Sequence, residues 1–507
     1  MNVPGADLVR PKVSAATVAD IAAWLGLTST SKNQVLGATL DSRKAREGDI
    51  WFAVPGQTGH AMTFASQAVT SGVVAVITDA VGADIARESQ SLPPEIELLV
   101  VEDPRACAGP VISRLYGHPS ELMKVIGVTG TNGKTSVTHF LVHAWRSAAA
   151  TTDCALLGTL GAVAPQHPEL QAYTGFTTPE PDSLQAFLAA CAEAGVRSLA
   201  MEVSSHALFL HRVDGTKFDV VVFTNLSQDH LDLHGSMTAY FDAKARLFNL
   251  EFCQQAVICV DDEWGQRLAH IARERGLSVT TYGFVESDWQ IVGTDERSCT
   301  VNARGSVFTL TIPAPGRFMA ANATAAAAAL ALTGVALAQV QEIMKGIQTV
   351  PGRMEIIRVE SSRGPRVIVD YAHSPGAIET VLAAARPASG RLIAVLGAGG
   401  DRDHTKRSLM GNAASAADVV VVTDDNPRSE DPAQIRAAIV SGISGSRCKE
   451  IADRAFAIQW AVSEADEQDT VVILGKGAEV GQTFGVETRP FDDRVQAAAA
   501  LAQWRAK

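Results

Sequence analysis

The sequence predicts an α/β protein in which parallel sheets are covered on both faces by helices and shared among several domains. Two observations predict it. Apolar runs of strand length alternate with helical stretches, as strands buried on both faces require. The chain has 507 residues, and at roughly 100–200 residues per domain that length calls for two to four domains.

In chain order, Asp49 to Val54 (DIWFAV) and Val73 to Thr78 (VVAVIT) read as strands of a small first unit. Pro104 to Ser120 leads into a second unit, which opens with the buried-strand run Lys124 to Val128 (KVIGV). Further strands read at Ser198 to Val203, Asp219 to Thr224 and Ala256 to Val260. Residues 320–332 (AANATAAAAALAL) have high helix propensity and read as a packed helix rather than a linker. Pro351-Gly352 then punctuates the chain. A third series follows, with strands at Arg366 to Asp370, Arg391 to Leu396, Asp418 to Thr423 and Thr470 to Leu474. These strands run into the polar loops DYAHSPG, GAGGDRDHTKR, DDNPRSEDP and GKGAE. Open parallel sheets bind ligands beyond the carboxyl ends of their strands, so the four loops predict a ligand face.

Composition narrows the function classes. Hydrophobic residues make up 47% and charged residues 19%, which excludes a disordered chain. A net charge of -12 argues against a nucleic-acid scaffold. It leaves room for a nucleotide, whose phosphates need only a few local donors. The cysteines (Cys107, Cys154, Cys191, Cys253, Cys259, Cys299 and Cys448) are odd in number and form no CxxC pair. They read as reduced thiols of a cytosolic protein. The start MNVPGADLVRPK carries no signal-peptide pattern, and no apolar run reaches the ~18 residues of a membrane span.

The most specific motif is Gly127-Val-Thr-Gly130-Thr-Asn-Gly133-Lys134-Thr135, set between a strand and a helix. In that order, backbone N–H groups and the helix start hold phosphate oxygens. Lys134 would reach the β/γ-phosphates and Thr135 would offer its hydroxyl to Mg²⁺. The strict GxxxxGK[ST] spacing would need glycine at Val128, where the first glycine here is Gly127. The plainer reading is a glycine turn between strand and helix.

Other candidates are weaker alone. Glu202 ends a strand (LAMEV), where a carboxylate either faces the phosphate loop or sits on the surface. His230 and His234 lie four apart in a loop dense in metal-capable side chains, without the HExxH of a zinc hydrolase. Lys244 by spacing alone is a surface lysine of a helix. Arg402 and Arg428 sit in ligand-face loops, where guanidinium forks would suit a carboxylate. The Arg428 loop also carries ordinary turn chemistry.

Together these pieces resemble the Mur ligase family, from about residue 40 to 480. The matching motifs are LDSR (40–43), TGTNGKT (129–135), TTPE (177–180), EVSSHAL (202–208), HR (211–212), FTNLSQDHLDLHG (223–235), AKARLF (243–248), PGRME (351–355), DYAHSP (370–375), GGDRD (399–403), DNPR (425–428) and GKGAE (475–479). The resemblance implies a UDP-binding N-terminal domain (1–103), a central ATP-binding P-loop domain (104–350) and a C-terminal Rossmann-like domain for the incoming amino acid (351–507). It implies an ATP-dependent, ADP-forming ligase of peptidoglycan precursor synthesis, a cytoplasmic step tied to cell shape and division. ATP would phosphorylate the γ-carboxylate of D-glutamate in UDP-N-acetylmuramoyl-L-alanyl-D-glutamate. The amine of meso-diaminopimelate would displace the phosphate.

Roles carry over position by position. Gly130, Thr131, Asn132, Gly133, Lys134, Thr135 and Ser136 match the triphosphate cradle, and Asn322, Arg353, Asp370 and His373 match other ATP contacts. Thr135, Glu202 and His230 match magnesium ligands. Lys244 matches a lysine that takes up CO₂ as a carbamate, an oxygen ligand suited to Mg²⁺. Lys134, Lys244, His230 and Glu202 would thus be the catalytic set. Leu40 and Ser42 match uridine-side contacts, and Thr177, Thr178, Ser204 and Arg212 match muramoyl-peptide contacts. Arg402, Asp425, Asn426, Pro427, Arg428, Gly475 and Glu479 match the diaminopimelate pocket. There an arginine pairs with the far carboxylate, and lysine, which lacks it, would leave the guanidinium unpaired. Phe176, Leu210, Met319 and Ala478 depart from residues common in the family. The expected partners are small molecules, without nucleic acid or membrane, and the expected state is a monomer. The competing readings are the same reaction with L-lysine or another diamino acid, a folylpolyglutamate synthase-like ligase, and a P-loop nucleotide switch without ligase activity.

Overall fold

A computed structural model of the chain describes residues 10–56, 59–148, 153–171, 175–359 and 364–505. It is mixed α/β with three main sheets. The first has four parallel strands in sequential order: Gly37–Thr39, Asp49–Ala53, Ala75–Thr78 and Glu97–Val100. Helix Pro104–Leu115 follows, and its Ala108, Val111, Ile112 and Leu115 pack into the same core as Ile50, Phe52 and Ile77. The same core also takes in Ala189 of the second unit, so the helix packs between the two.

The central sheet has ten strands. Five parallel ones form its middle, in the spatial order Gln255–Cys259, Val220–Phe223, Lys124–Thr129, Ser198–Glu202 and Cys154–Gly158. Their near-continuous apolar sequences fit burial on both faces: Val125, Ile126, Val128, Leu199, Val221 and Val222 are wholly buried. Beyond Ser278–Gly283 the sheet takes up Trp289–Thr294 in parallel and then Ser298–Ala303 and Ser306–Thr311 antiparallel, an extension absent from the sequence reading.

The alanine-rich segment is helix Arg317–Leu332. Its alanines from Ala325 to Ala329 are fully buried in the core that also holds Phe140 and Leu141 of the phosphate-loop helix Lys134–Ser147. Methyl side chains let backbones approach closely, and larger groups there would overpack the core at a cost of ~1–3 kcal/mol.

The third sheet has the order Glu355–Ile357, Arg366–Asp370, Thr470–Leu474, Leu392–Leu396, Val419–Val422, Arg447–Glu450. The four strands read from sequence are its parallel centre. Their carboxyl ends face one edge, so the four polar loops meet there. The hinge Pro351-Gly352 lies against this edge: a methyl group on Gly352 would fall 2.2 Å from the Ala478 nitrogen.

Candidate active site

The phosphate loop leaves the end of strand Lys124–Thr129. Gly127 lies inside that strand, packed on Phe218, so the loop's own glycines are Gly130 and Gly133. Gly133 has φ +89°, and a side chain there would press on Asn322 Oδ1 at 2.5 Å. Only glycine allows the loop this close to Asn322 in this conformation. Thr131 N donates to Asn225 O (2.9 Å) and Asn132 N to Asn225 Oδ1 (3.1 Å). Those two amides are committed to the neighbouring loop. The amides of Lys134, Thr135 and Ser136 have no acceptor among the described residues, as expected at a helix start poised for an anion. Lys134 Nζ donates to Gly130 O and Thr131 O, each at 2.9 Å.

The catalytic candidates surround this loop. Glu202, at the end of the adjacent strand, is buried and accepts from Thr159 N (2.9 Å) and Thr159 Oγ1 (3.2 Å). Lys244 is buried rather than on the surface; its Nζ donates to Gly130 O (2.9 Å) and lies 4.5 Å from the centre of the Tyr240 ring. Burial, with Lys134 nearby, pushes the Lys244 ammonium well below its ordinary range, against the pull of Asp229. Burial also lowers Lys134, with Glu202 and Asp229 opposing. His230 sits at φ +54°, its ring 4.8 Å from that of His206. Burial brings it down to about 3, so it is neutral at neutral pH, a state that can ligate a metal. His234 turns to Ser205 Oγ at 3.1 Å.

The C-terminal domain closes over the loop. Arg353 Nη2 donates to Thr135 Oγ1 (3.1 Å), and the guanidinium lies 4.2 Å from the Tyr371 ring centre. Asp370 is buried and accepts from Met354 N and Ala372 N, both at 2.7 Å, so it holds the hinge turn. Asp229 of the central domain faces His230 (3.6 Å), His373 Nε2 (3.6 Å) and Lys406 Nζ (3.6 Å). Burial pushes its carboxyl up, but His373, His230 and Lys406 prevail and hold it well below the usual range.

The substrate-side candidates form a connected chain. Thr177 and Thr159 pair through their hydroxyls (3.1 Å). Thr178 Oγ1 donates to Glu202 O (2.8 Å) and accepts from Ser204 N (3.1 Å). Arg212 donates to Thr178 O (3.2 Å), pairs with Glu180 (2.7 Å) and stacks on Phe176. Leu40 N donates to Asp182 Oδ2 (2.9 Å), tying the first domain to the second. Ser42 Oγ donates to Gln67 (3.0 Å).

Between Thr159 and Leu160 on one wall and the last domain on the other lies a cleft of about 1140 Å³. Arg353, Asn426, Arg428 and Glu479 line it. Arg428 Nη1 donates to Gly400 O (2.6 Å), and Asn426 Nδ2 to Glu479 Oε2 (3.1 Å). Arg402 is exposed and flanks Gly399 beside Arg428. Gly475 abuts Asp425, and Pro427 closes against Gly400. The hinge-side motif PGRME and the loops DYAHSP, DNPR and GKGAE thus contribute residues to one cleft. Thr159 and Lys476 line it as well, while Tyr240 meets Thr131 and Lys244 beside the phosphate loop and Lys406 faces Asp229. Lys406 and Lys476 stand inside motif loops already quoted, whereas Thr159 and Tyr240 have no local signal.

A phosphate loop flanked by a buried lysine and a buried carboxylate, with a second domain bringing arginines across a cleft, describes an amide-forming ATP-dependent ligase. The profile of the Mur ligase middle domain matches residues 128–330, and that of the Mur ligase glutamate ligase domain matches residues 352–477. This chain belongs to the Mur ligase family. Among curated proteins it is 41% identical to the UDP-N-acetylmuramoyl-L-alanyl-D-glutamate–2,6-diaminopimelate ligase of Streptomyces coelicolor, over 97% of this chain and 98% of that one. It is 43% identical to the enzyme of the same name from Synechococcus elongatus, over 92% and 94%. A solved structure of a ligase of that name superposes with TM-score 0.67 at 32% identity, covering 96% of this chain and 99% of the other.

Proposed function

We propose that the chain adds meso-diaminopimelate to the γ-carboxylate of D-glutamate in UDP-N-acetylmuramoyl-L-alanyl-D-glutamate, with ATP as phosphoryl donor, in peptidoglycan precursor synthesis. The relatives of 41% and 43% identity carry that activity in their names. The observation that carries it in this chain is the cleft: Arg428, Asn426 and Glu479 line one wall, and Arg353, bonded to Thr135 of the phosphate loop, reaches it from the hinge. Mur ligases are ATP-dependent and use Mg²⁺.

Such an ion would sit beside the phosphate loop. Thr135 Oγ, the Glu202 carboxylate and neutral His230 gather about the loop and would hold it. Bound there, the ion would neutralise phosphate charge. The free amides of Lys134, Thr135 and Ser136 would take the triphosphate oxygens, and Lys134 would leave the Gly130 and Thr131 carbonyls for the transferring group. The acyl phosphate would form on the Thr159 side of the cleft, in reach of an amine presented from the Arg428 side. The amine attacks the acyl carbon, phosphate leaves from the tetrahedral intermediate, and the amine loses its proton. A neutral buried amine reacts with CO₂, so Lys244 is suited to become the carbamate ligand.

Arg428 selects the third amino acid through the carboxylate that lysine lacks. The test is phosphate release with the UDP-dipeptide and ATP. Release stimulated by meso-diaminopimelate and not by L-lysine is expected; the reverse would overturn the choice. The smaller site expectations stand with this reading: Leu40 and Ser42 toward uridine, Thr177, Thr178, Ser204 and Arg212 toward the muramoyl-peptide, Asn322, Asp370 and His373 toward ATP. So do a monomeric state and a cytoplasmic location. Among the described residues no helix is long and apolar enough to cross a membrane.

A further inference from the structure

Beneath the amino-acid cup lies a lysine that the reading above leaves without a role. Lys476 has a fully buried side chain, yet its Nζ stands under the floor of the cleft. It donates to Asn426 Oδ1 (3.0 Å) and to Glu479 Oε2 (3.3 Å), and lies 3.7 Å from Asp425 Oδ1. Asn426 Oδ1 also accepts from Thr483 N (3.0 Å). A carbonyl oxygen has two lone pairs, so both are taken. The amide cannot flip: its Nδ2 must face Glu479 Oε2, to which it donates at 3.1 Å. That nitrogen keeps a second N–H. Glu479 Oε2 is engaged twice, and its Oε1 has no partner among the described residues.

We propose that Lys476 is a positioning residue that sets the polarity of this cup. Its ammonium locks Asn426 as a donor and Glu479 as an acceptor, so that one carbon bearing both a carboxylate and an ammonium is recognised in one hand. Arg428 and the free Asn426 N–H take the carboxylate; Glu479 Oε1 takes the ammonium. It also offsets the mutual repulsion of Asp425 and Glu479. The inference rests on the diaminopimelate reading and gives it a stereochemical consequence: a cup of fixed polarity tells the two hands of that carbon apart, so the meso and L,L isomers are not equivalent to it.

The test is a double-mutant cycle, Lys476→Met against Asn426→Ala, with initial rates of phosphate release. Lys476→Met should raise KM for meso-diaminopimelate at least tenfold, change KM for ATP and for the UDP-dipeptide less than about twofold, and lower the preference for the meso over the L,L isomer. In the Asn426→Ala background the same substitution should raise that KM by a smaller factor than in the wild type, because one of the two groups it orients is gone. If the methionine variant does not fold, Lys476→Gln, which keeps a donor but no charge, replaces it in the cycle. Additive effects, or equal rises in all three KM values, would overturn the proposal. Wild-type enzyme without response to meso-diaminopimelate would instead overturn the underlying reading.

Discussion

At the residue scale, burial decides what each charged group can do. The amine of Lys244 is removed from water beside a second cation, Lys134, which is the setting the proposed carbamate needs. Lys244→Ala should lose most activity, with partial recovery when short carboxylates are added, measured as initial rates. Full activity in the bare variant would dismiss the carbamate. His139 shows the same physics applied to stability. Its Nε2 is buried without a partner among the described residues, and burial lowers the ring from its ordinary 6.5 to about 3. Between those values the unfolded chain takes a proton that the folded one refuses. Stability therefore falls as pH drops through that window, by up to ~1.4 kcal/mol per pH unit for this group. His139→Gln should flatten the decline in urea unfolding free energy between about pH 7 and about pH 5. An unchanged slope would show that the imidazole is protonated in the fold.

At the element scale, the third sheet's loops are pinned from below. Arg454, near the start of helix Arg454–Glu464, pairs with Asp493 of the last helix (2.7 Å), both side chains fully buried. The same guanidinium donates to Leu474 O (2.9 Å), just before Gly475. Arg454→Met leaves Asp493 buried and unpaired, an expected loss of ~3–5 kcal/mol. Arg454→Met with Asp493→Leu should regain most of it, read by urea unfolding. Equal losses in both variants would mean that the carbonyl bond, not the ion pair, is what holds the loops. Most strands of this sheet were legible because each is a short apolar run ending in polar residues. Arg447–Glu450 was not: all four of its residues are exposed, so it carries no burial pattern. The extension Trp289–Thr311 was missed although Trp289, Ile291, Cys299, Val301 and Ala303 are buried at alternate positions, a period-2 signal. It mixes polar and small residues, and its pairing comes from the neighbouring strand rather than from its own sequence.

At the scale of the whole molecule, the motifs indicated which loops matter but not how distant loops meet. The phosphate loop, Arg428 and the hinge each carry local signatures. The contact of Asp229 with His373 and Lys406 is made between domains, and nothing near Asp229 in sequence announces it. Asp229→Asn weakens that contact. The ligand-free protein should then show a larger radius of gyration by small-angle scattering; an unchanged value would mean that Arg353 and the hinge alone hold the domains together. Gly352 packs so closely on the Gly477–Ala478 peptide that not even a methyl group fits between them. The junction to the last domain and the rim of its pocket are therefore packed as a single part, and any rotation of that domain would carry both. A small molecule wedged into that pocket in the wrong shape would act as a brake on the whole swing, stalling phosphoryl transfer without touching the nucleotide.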